Sequence, residues 1–108
     1  MRIEVFGEDA ISSQARSYAE YRVFAAIART AQKVRSARVV LRALDRTGGR
    51  GGVACTVTVA LEGREPIRIR TTGPHTYAAI NRAIERIQAA AESLVAEPLS
   101  SESQTEKV

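Results

Sequence analysis

Hydrophobic and polar residues in this 108-residue chain alternate with two different periods, and the change from one to the other predicts six elements. Met1–Gly7 has period two, with Ile3 and Val5 on one face and Arg2, Glu4 and Phe6 on the other, as a half-buried strand requires. Glu8–Ser13 is a polar connection, and Ser12 or Ser13 is suited to cap the helix that follows. From about Gln14 to Val34 the residues Ala15, Ala19, Val23, Ala26, Ile27, Thr30 and Val34 recur at three- and four-residue spacing, which predicts a helix with one apolar face. Ala37–Leu44 reads as a second strand.

Arg46–Gly52 has four glycines in five residues and is expected to be a flexible connector. Beyond it, Val53, Cys55, Val57, Val59 and Leu61 alternate with Ala54, Thr56, Thr58 and Ala60, the clearest strand of the chain. After a tight connection at Glu62–Glu65, Ile67 and Ile69 continue the alternation in a fourth strand. Thr72-Gly73-Pro74 is expected to open the last helix, with proline in its first turn. Tyr77, Ile80, Ile84, Ile87, Ala91 and Leu94 form its apolar stripe. Pro98 and a run rich in serine and glutamate follow, so 1–96 is read as one α+β domain and 97–108 as a disordered polar tail.

The order β-α-β-β-β-α, with both helices apolar on one side, implies a two-layer α+β sandwich in which two helices pack on one face of a four-stranded sheet. The first helix is long enough for a right-handed crossover, so the first two strands are candidates for a parallel pair.

Composition narrows the function. Hydrophobic content of 44% and charged content of 26% are ordinary for a globular domain. No signal peptide is evident, and no apolar run approaches the ~20 residues of a membrane span. The single cysteine, Cys55, excludes an intrachain disulfide and suits a reducing compartment, so the protein is expected to be cytoplasmic. Net charge is +4, but Glu97–Val108 holds three acids and only Lys107, leaving fifteen basic against nine acidic side chains in residues 1–96. Fourteen of the sixteen basic residues are arginine, whose planar fork matches phosphate and stacks on bases. A genome rich in G and C would also favour arginine codons, so position has to decide.

Catalysis finds little to work with. His75, the one histidine, falls at a helix start, where a capping or surface role is expected. Cys55 lies on the apolar side of its strand, as a core residue does, and one cysteine with one histidine cannot build a metal site. The glycine connector lacks the phosphate-loop pattern, though Arg46 and Arg50 ride on it and would be able to follow a nucleic-acid backbone. No enzyme, cofactor or small-molecule substrate is expected. Helical spacing sets Tyr18, Arg22, Arg29 and Lys33 in a stripe without acids beside the apolar face of the first helix, with Ala25 in line. Arg82 and Arg86 share the polar face of the last helix, and Arg38/Arg42 and Arg68/Arg70 point in pairs from the sheet. These are either solvated faces or a surface for an anionic partner, and the like charges of the helical stripe favour the partner.

Ile3-Glu-Val-Phe-Gly7, Arg16-Ser-Tyr-Ala-Glu-Tyr-Arg22-Val23, Arg38-Val-Val-Leu41 and above all Thr76-Tyr-Ala-Ala-Ile-Asn-Arg-Ala-Ile84 occur in the order found in one family. The chain resembles, over roughly residues 1–95, the ribosome hibernation-promoting factor family, which includes ribosome-associated inhibitor A and carries the older label of sigma-54 modulation proteins. The last run is similar to the Met-Tyr-x-Ala-Ile motif that opens the family's final helix. The resemblance implies a domain shaped like a double-stranded RNA-binding domain, lodged between head and body of the small ribosomal subunit over the decoding centre. Basic residues of both helices would then meet rRNA phosphates and silence translation by occupancy. By position, Arg16, Arg22 and Arg29 match basic places on the first helix and Arg86 one on the last. Ala25, Ala89 and Ser93 stand where the family commonly has Lys or Arg, a gap that Arg82, Lys33, Arg46 and Arg50 would offset. The extent resembles the short forms of the family. Two other readings stay open: a protein-interaction module acting on sigma-54-dependent transcription, and a general double-stranded RNA binder. No membrane partner is expected, and a monomer is the default, with an edge strand that would permit a homodimer.

Overall fold

A computed structural model of the chain describes residues 2–28, 33–44 and 51–107, and the side chains of the last helix as far as residue 93. Its elements are β1 (Arg2–Gly7), α1 (Ser13–Ile27), β2 (Val34–Leu44), β3 (Gly52–Leu61), β4 (Ile67–Gly73) and α2 (Thr76–Lys107). The four strands lie in chain order, β1 parallel to β2 and the other neighbours antiparallel. This is the β-α-β-β-β-α sandwich expected from the periodicities, including the parallel first pair. Among the described residues no helix is long and apolar enough to cross a membrane.

One face of the sheet is covered. Val39, Leu41, Cys55, Val57 and Val59 point into a core completed by Val23 and Ile27 of α1 and Ile80, Ile84 and Ile87 of α2, all at most 2% exposed. A well-packed core of this kind is the dominant stabilising contribution, at about 25 cal/mol per Å² of apolar surface removed from water. On α1 the buried positions are Ala15, Ala19, Val23, Ala26 and Ile27, the stripe read from the sequence. Ser12 caps the helix by accepting from the Ala15 N–H at 3.1 Å.

Two boundaries differ from expectation. Helix α1 ends at Ile27, with Ala28 as its C-cap, rather than running on to Val34. Val34 instead begins β2 opposite Leu61 and is buried there, because sheet pairing and burial outweigh the weak helical preference of a β-branched residue. Arg29 and Thr30 lie outside the described residues. The last helix starts at Thr76, not within Thr72-Gly73-Pro74, because Thr72 and Gly73 still pair with Ala54 and Val53 of β3. Pro74 precedes the helix, and His75 caps it as a surface residue does: its Nδ1 accepts from the Ala78 N–H at 3.3 Å. The tight connection between β3 and β4 turns on Gly63, whose φ of 68° is costly for any residue with a Cβ. Helix α2 continues to Lys107, through most of the segment 97–108 that was expected to be a disordered tail, and the side chains of that stretch lie outside the described residues.

The end of β4 is tied closely to α2. The buried Thr71 hydroxyl donates to the Ala79 carbonyl at 2.8 Å. At Gly73 a Cβ would stand 2.6 Å from the Ala79 nitrogen, so only glycine allows strand and helix to approach this far.

Candidate nucleic-acid interface

Helix α1 carries Tyr18 and Arg22 one turn apart, and the crossing of α1 with α2 decides what they do. The Tyr18 hydroxyl donates to Asn81 Oδ1 at 2.6 Å, and Arg22 Nη1 donates both to the Tyr18 oxygen at 2.7 Å and to Asn81 Oδ1 at 3.1 Å. The Arg22 guanidinium carbon lies 5.6 Å from the Tyr18 ring centre, and Tyr77 meets that ring edge-on at 5.0 Å. Two of the five guanidinium hydrogens thus hold the arginine in place, and its Nε and Nη2 donors have no partner among the described residues. That remaining edge is the fork that takes a phosphate in two parallel hydrogen bonds. Tyr21 and Phe24 of α1 are 68% and 51% exposed and add ring faces suited to bases.

Arg82 and Arg86 sit on the other flank of α2. Asn81 turns to α1, and Arg82, ~100° further round the helix, turns to β4. Arg82 Nη1 donates to the Thr72 carbonyl at 2.7 Å. With Arg70, Thr71, Thr72 and Glu85, the two arginines line a groove of about 390 Å³ between the outer strand and the helix.

The expected site residues therefore divide. Tyr18 and Arg22 form one cluster and Arg82 and Arg86 belong to another. Arg16 serves the base of α1: its Nη2 donates to the Ile11 carbonyl at 3.0 Å, and its Nε is buried without a partner. Lys33 lies past the end of α1, its carbonyl accepting from the Glu62 N–H at 2.9 Å, so it does not extend the helical stripe. Arg29, Arg46 and Arg50 lie outside the described residues. Asn81 was not legible as a site residue. Its only sequence signal is its place one turn after Tyr77, whereas its partner Tyr18 is 63 residues away. Arg70 was legible as pointing with Arg68, but not as a neighbour of Arg82 and Arg86.

Acids are distributed unevenly around these arginines. Glu4 lies 3.5 Å from Arg2 and 3.8 Å from Arg38, and Glu8 lies 3.9 Å from Arg42. Arg38 also stands over the Phe6 ring at 5.1 Å. None of the described residues forms such a pair with Arg68, Arg70 or Arg86. Among the described residues no cluster of His, Cys, Asp and Glu is placed to hold a metal ion. Cys55 is buried, and desolvation pushes its thiol up to about 11, which leaves it protonated and unreactive at neutral pH.

Clamped and unpaired arginines thus share the surface of a small α+β sandwich, an arrangement chemically suited to phosphate contact. No family model and no curated protein matches the chain. Among solved structures it matches a ribosomal subunit interface protein from Coxiella burnetii, with a TM-score of 0.71 at 13% identity over 89% of this chain and 99% of that one. It also matches the N-terminal domain of Protein Y from Thermus thermophilus, with a TM-score of 0.69 at 26% identity over 87% of this chain and 99% of that domain. The chain has the fold of these proteins, and its resemblance to the ribosome hibernation-promoting factor family holds in three dimensions as well as in its motifs.

Proposed function

We propose that this protein binds the small ribosomal subunit through rRNA phosphates near the decoding region and silences translation by occupancy, without turnover. The observation that carries the reading is Arg22, held by Tyr18 and Asn81 at the helix crossing with one edge of its guanidinium left for an anion. Fixing the arginine before binding reduces the side-chain entropy lost on contact, about 0.5–1.5 kcal/mol for a flexible side chain. The resemblance to ribosomal subunit interface proteins supplies the target. On this reading the working unit is residues 1–96, acting as a cytoplasmic monomer without a cofactor, and Arg29, Lys33, Arg46 and Arg50 add further phosphate contacts.

Co-sedimentation with purified small subunits tests this. Binding dominated by phosphates is strong at low salt and falls linearly on a log–log plot as salt rises. Arg22→Ala is expected to weaken it by about 10-fold, a loss of 1.4 kcal/mol or so. Absence of co-sedimentation at low salt would sink the reading. If generic duplex RNA competes as well as whole subunits do, the protein is instead a general double-stranded RNA binder.

A further inference from the structure

Helix α1 is apolar on two sides. Ala19, Val23 and Ile27 face the core, yet Tyr21, Phe24, Ala25 and Ala28 face solvent. Going round the outer surface from Arg22 at about 100° per residue, Ala25, Tyr21, Ala28 and Phe24 follow before Glu20, an arc of about 200° without a charge. Both rings are open to solvent, Tyr21 at 68% and Phe24 at 51%. The other rings near this helix are engaged: Tyr18 and Tyr77 meet edge-on, and Tyr18 also holds Asn81 and Arg22. Among the described residues the side chains of Tyr21 and Phe24 meet no other ring, no cation and no hydrogen-bond partner. Single exposed hydrophobics are ordinary on a protein surface, but two rings one turn apart with alanines beside them make a continuous patch. Aromatic residues are also poorer helix formers than Ala, Glu or Arg, so the stability of α1 does not account for them.

We propose that Tyr21 and Phe24 are stacking platforms for unpaired nucleobases, so that α1 selects single-stranded nucleotides over duplex RNA. The proposal rests on the RNA-binding reading above and adds to it a preference for unpaired bases. The patch begins beside the clamped Arg22, so a strand anchored there by a phosphate meets Tyr21 next and Phe24 after it. Ala25, at a place where the resemblance leads one to expect Lys or Arg, supplies no charge, and this part of α1 has only ring and methyl faces to offer a nucleotide. A base has a flat face to lay on such a ring, whatever its sequence, whereas a paired base keeps its faces against its neighbours in the duplex. The patch is too small for a stable protein partner. From Tyr21 to Ala28 the helix rises only about 10 Å, and a stable complex covers about 800 Å² on each side.

Anisotropy titrations of the full chain compare two labelled RNAs of equal length, a stem-loop with an unpaired loop and a duplex without one. Tyr21→Ala and Phe24→Ala are each expected to weaken binding of the stem-loop by about 10-fold and of the duplex by less than about 2-fold. The salt slope should stay that of the unaltered protein, because no phosphate contact is lost, whereas Arg22→Ala lowers it by about one. Tyr21→Leu keeps an apolar side chain without a flat ring and is expected to weaken the stem-loop as Tyr21→Ala does. Tyr21→Trp, with a larger ring, is expected to tighten it by about 2-fold. Both residues face solvent, so these variants keep the fold. A fluorescent adenine analogue in the loop reports stacking directly: the unaltered protein should quench it, and the two alanine variants should quench it less. If both alanine variants bind the stem-loop as the unaltered protein does while Arg22→Ala still weakens it, the stacking is wrong and the functional reading stands. Full affinity in Tyr21→Leu would also overturn the proposal, since any apolar side chain would then serve. If the unaltered protein binds neither RNA nor small subunits, the functional reading itself fails and the proposal with it. A dimer of the free protein in sedimentation equilibrium, dissociated by Phe24→Glu, would overturn the proposal in favour of an interface between two copies of the chain.

Discussion

The two edges of the sheet carry the same residue type in opposite circumstances. On β1 and β2, Arg38 faces Glu4 across the parallel pair, Arg2 reaches the same carboxylate, and Arg42 lies near Glu8. The Glu8 side chain also accepts from the Ala43 N–H at 2.7 Å, so the acid fastens the strand end as well as offsetting charge. On β4 the cross-strand neighbours of Arg68 and Arg70 are Thr58 and Thr56, which carry no charge. There the nearby arginines belong to α2, and positive charge accumulates. Arginine content therefore does not locate an anion site; the partners that register and packing assign to each arginine do. One edge is close to self-neutralised, and the other is left for something anionic.

The sharpest way to break this contrast is to part β4 from α2. Gly73→Ala would set a Cβ 2.6 Å from the Ala79 nitrogen and 2.9 Å from the Ala78 Cβ. Overpacking of that kind is expected to destabilise the fold by about 3 kcal/mol and to open the arginine groove. Gly7→Ala at the opposite edge meets Ile11 at 3.1 Å and is expected to cost less than about 1 kcal/mol. Urea melts of the two variants compare the edges directly, and equal losses would mean that the close approach at Gly73 is not what holds the groove together.

A middle-sized effect concerns β3, the strand between the two edges. Burial raises the Cys55 thiol from 9.0 to about 11 in the folded protein, while the unfolded chain ionises near the ordinary value. The unfolded state therefore loses its proton first, and stability present below pH 9 declines by roughly 2 kcal/mol as pH rises towards 11. Alkylation at pH 8 should be slow in the native protein and fast in denaturant. A native rate equal to the denatured one would show that the core between the edges is open.

The smallest change in stability accompanies the most direct test of the charge contrast. Glu4→Gln releases Arg2 and Arg38 from their shared acid while altering stability by less than about 0.5 kcal/mol. RNA affinity at low salt is expected to rise by about 2- to 3-fold, with the salt slope up by as much as one. An unchanged slope would mean that the paired arginines were never masked.

Much of the architecture was legible because it depends on local period. Period two in Val53–Leu61 and the three- and four-residue spacing from Ile80 to Ala91 each report which side of an element is buried, and the structure buries those sides. The errors fell at boundaries, where neighbours outside the local window decide: Leu61 draws Val34 into the sheet, and β3 keeps Thr72 and Gly73 in β4. At the candidate site, Tyr18 and Arg22 were legible as one helical stripe because they are one turn apart. Their partner Asn81 was not, since hydrogen bonds across 63 and 59 residues leave no periodic trace.

What the sequence determined by itself, then, was the kind and order of the elements, the buried faces, the surplus of arginine and the lack of a catalytic set. Each of these follows from the identity and spacing of residues that are near one another in the chain. Only the tertiary structure decided which arginines are neutralised, which are clamped and which converge. Electrostatic and hydrogen-bond energies depend on separation in space, and the distances between Glu4 and Arg38, Tyr18 and Asn81, or Arg82 and Thr72 exist only once the strands have found their register and the helices have crossed.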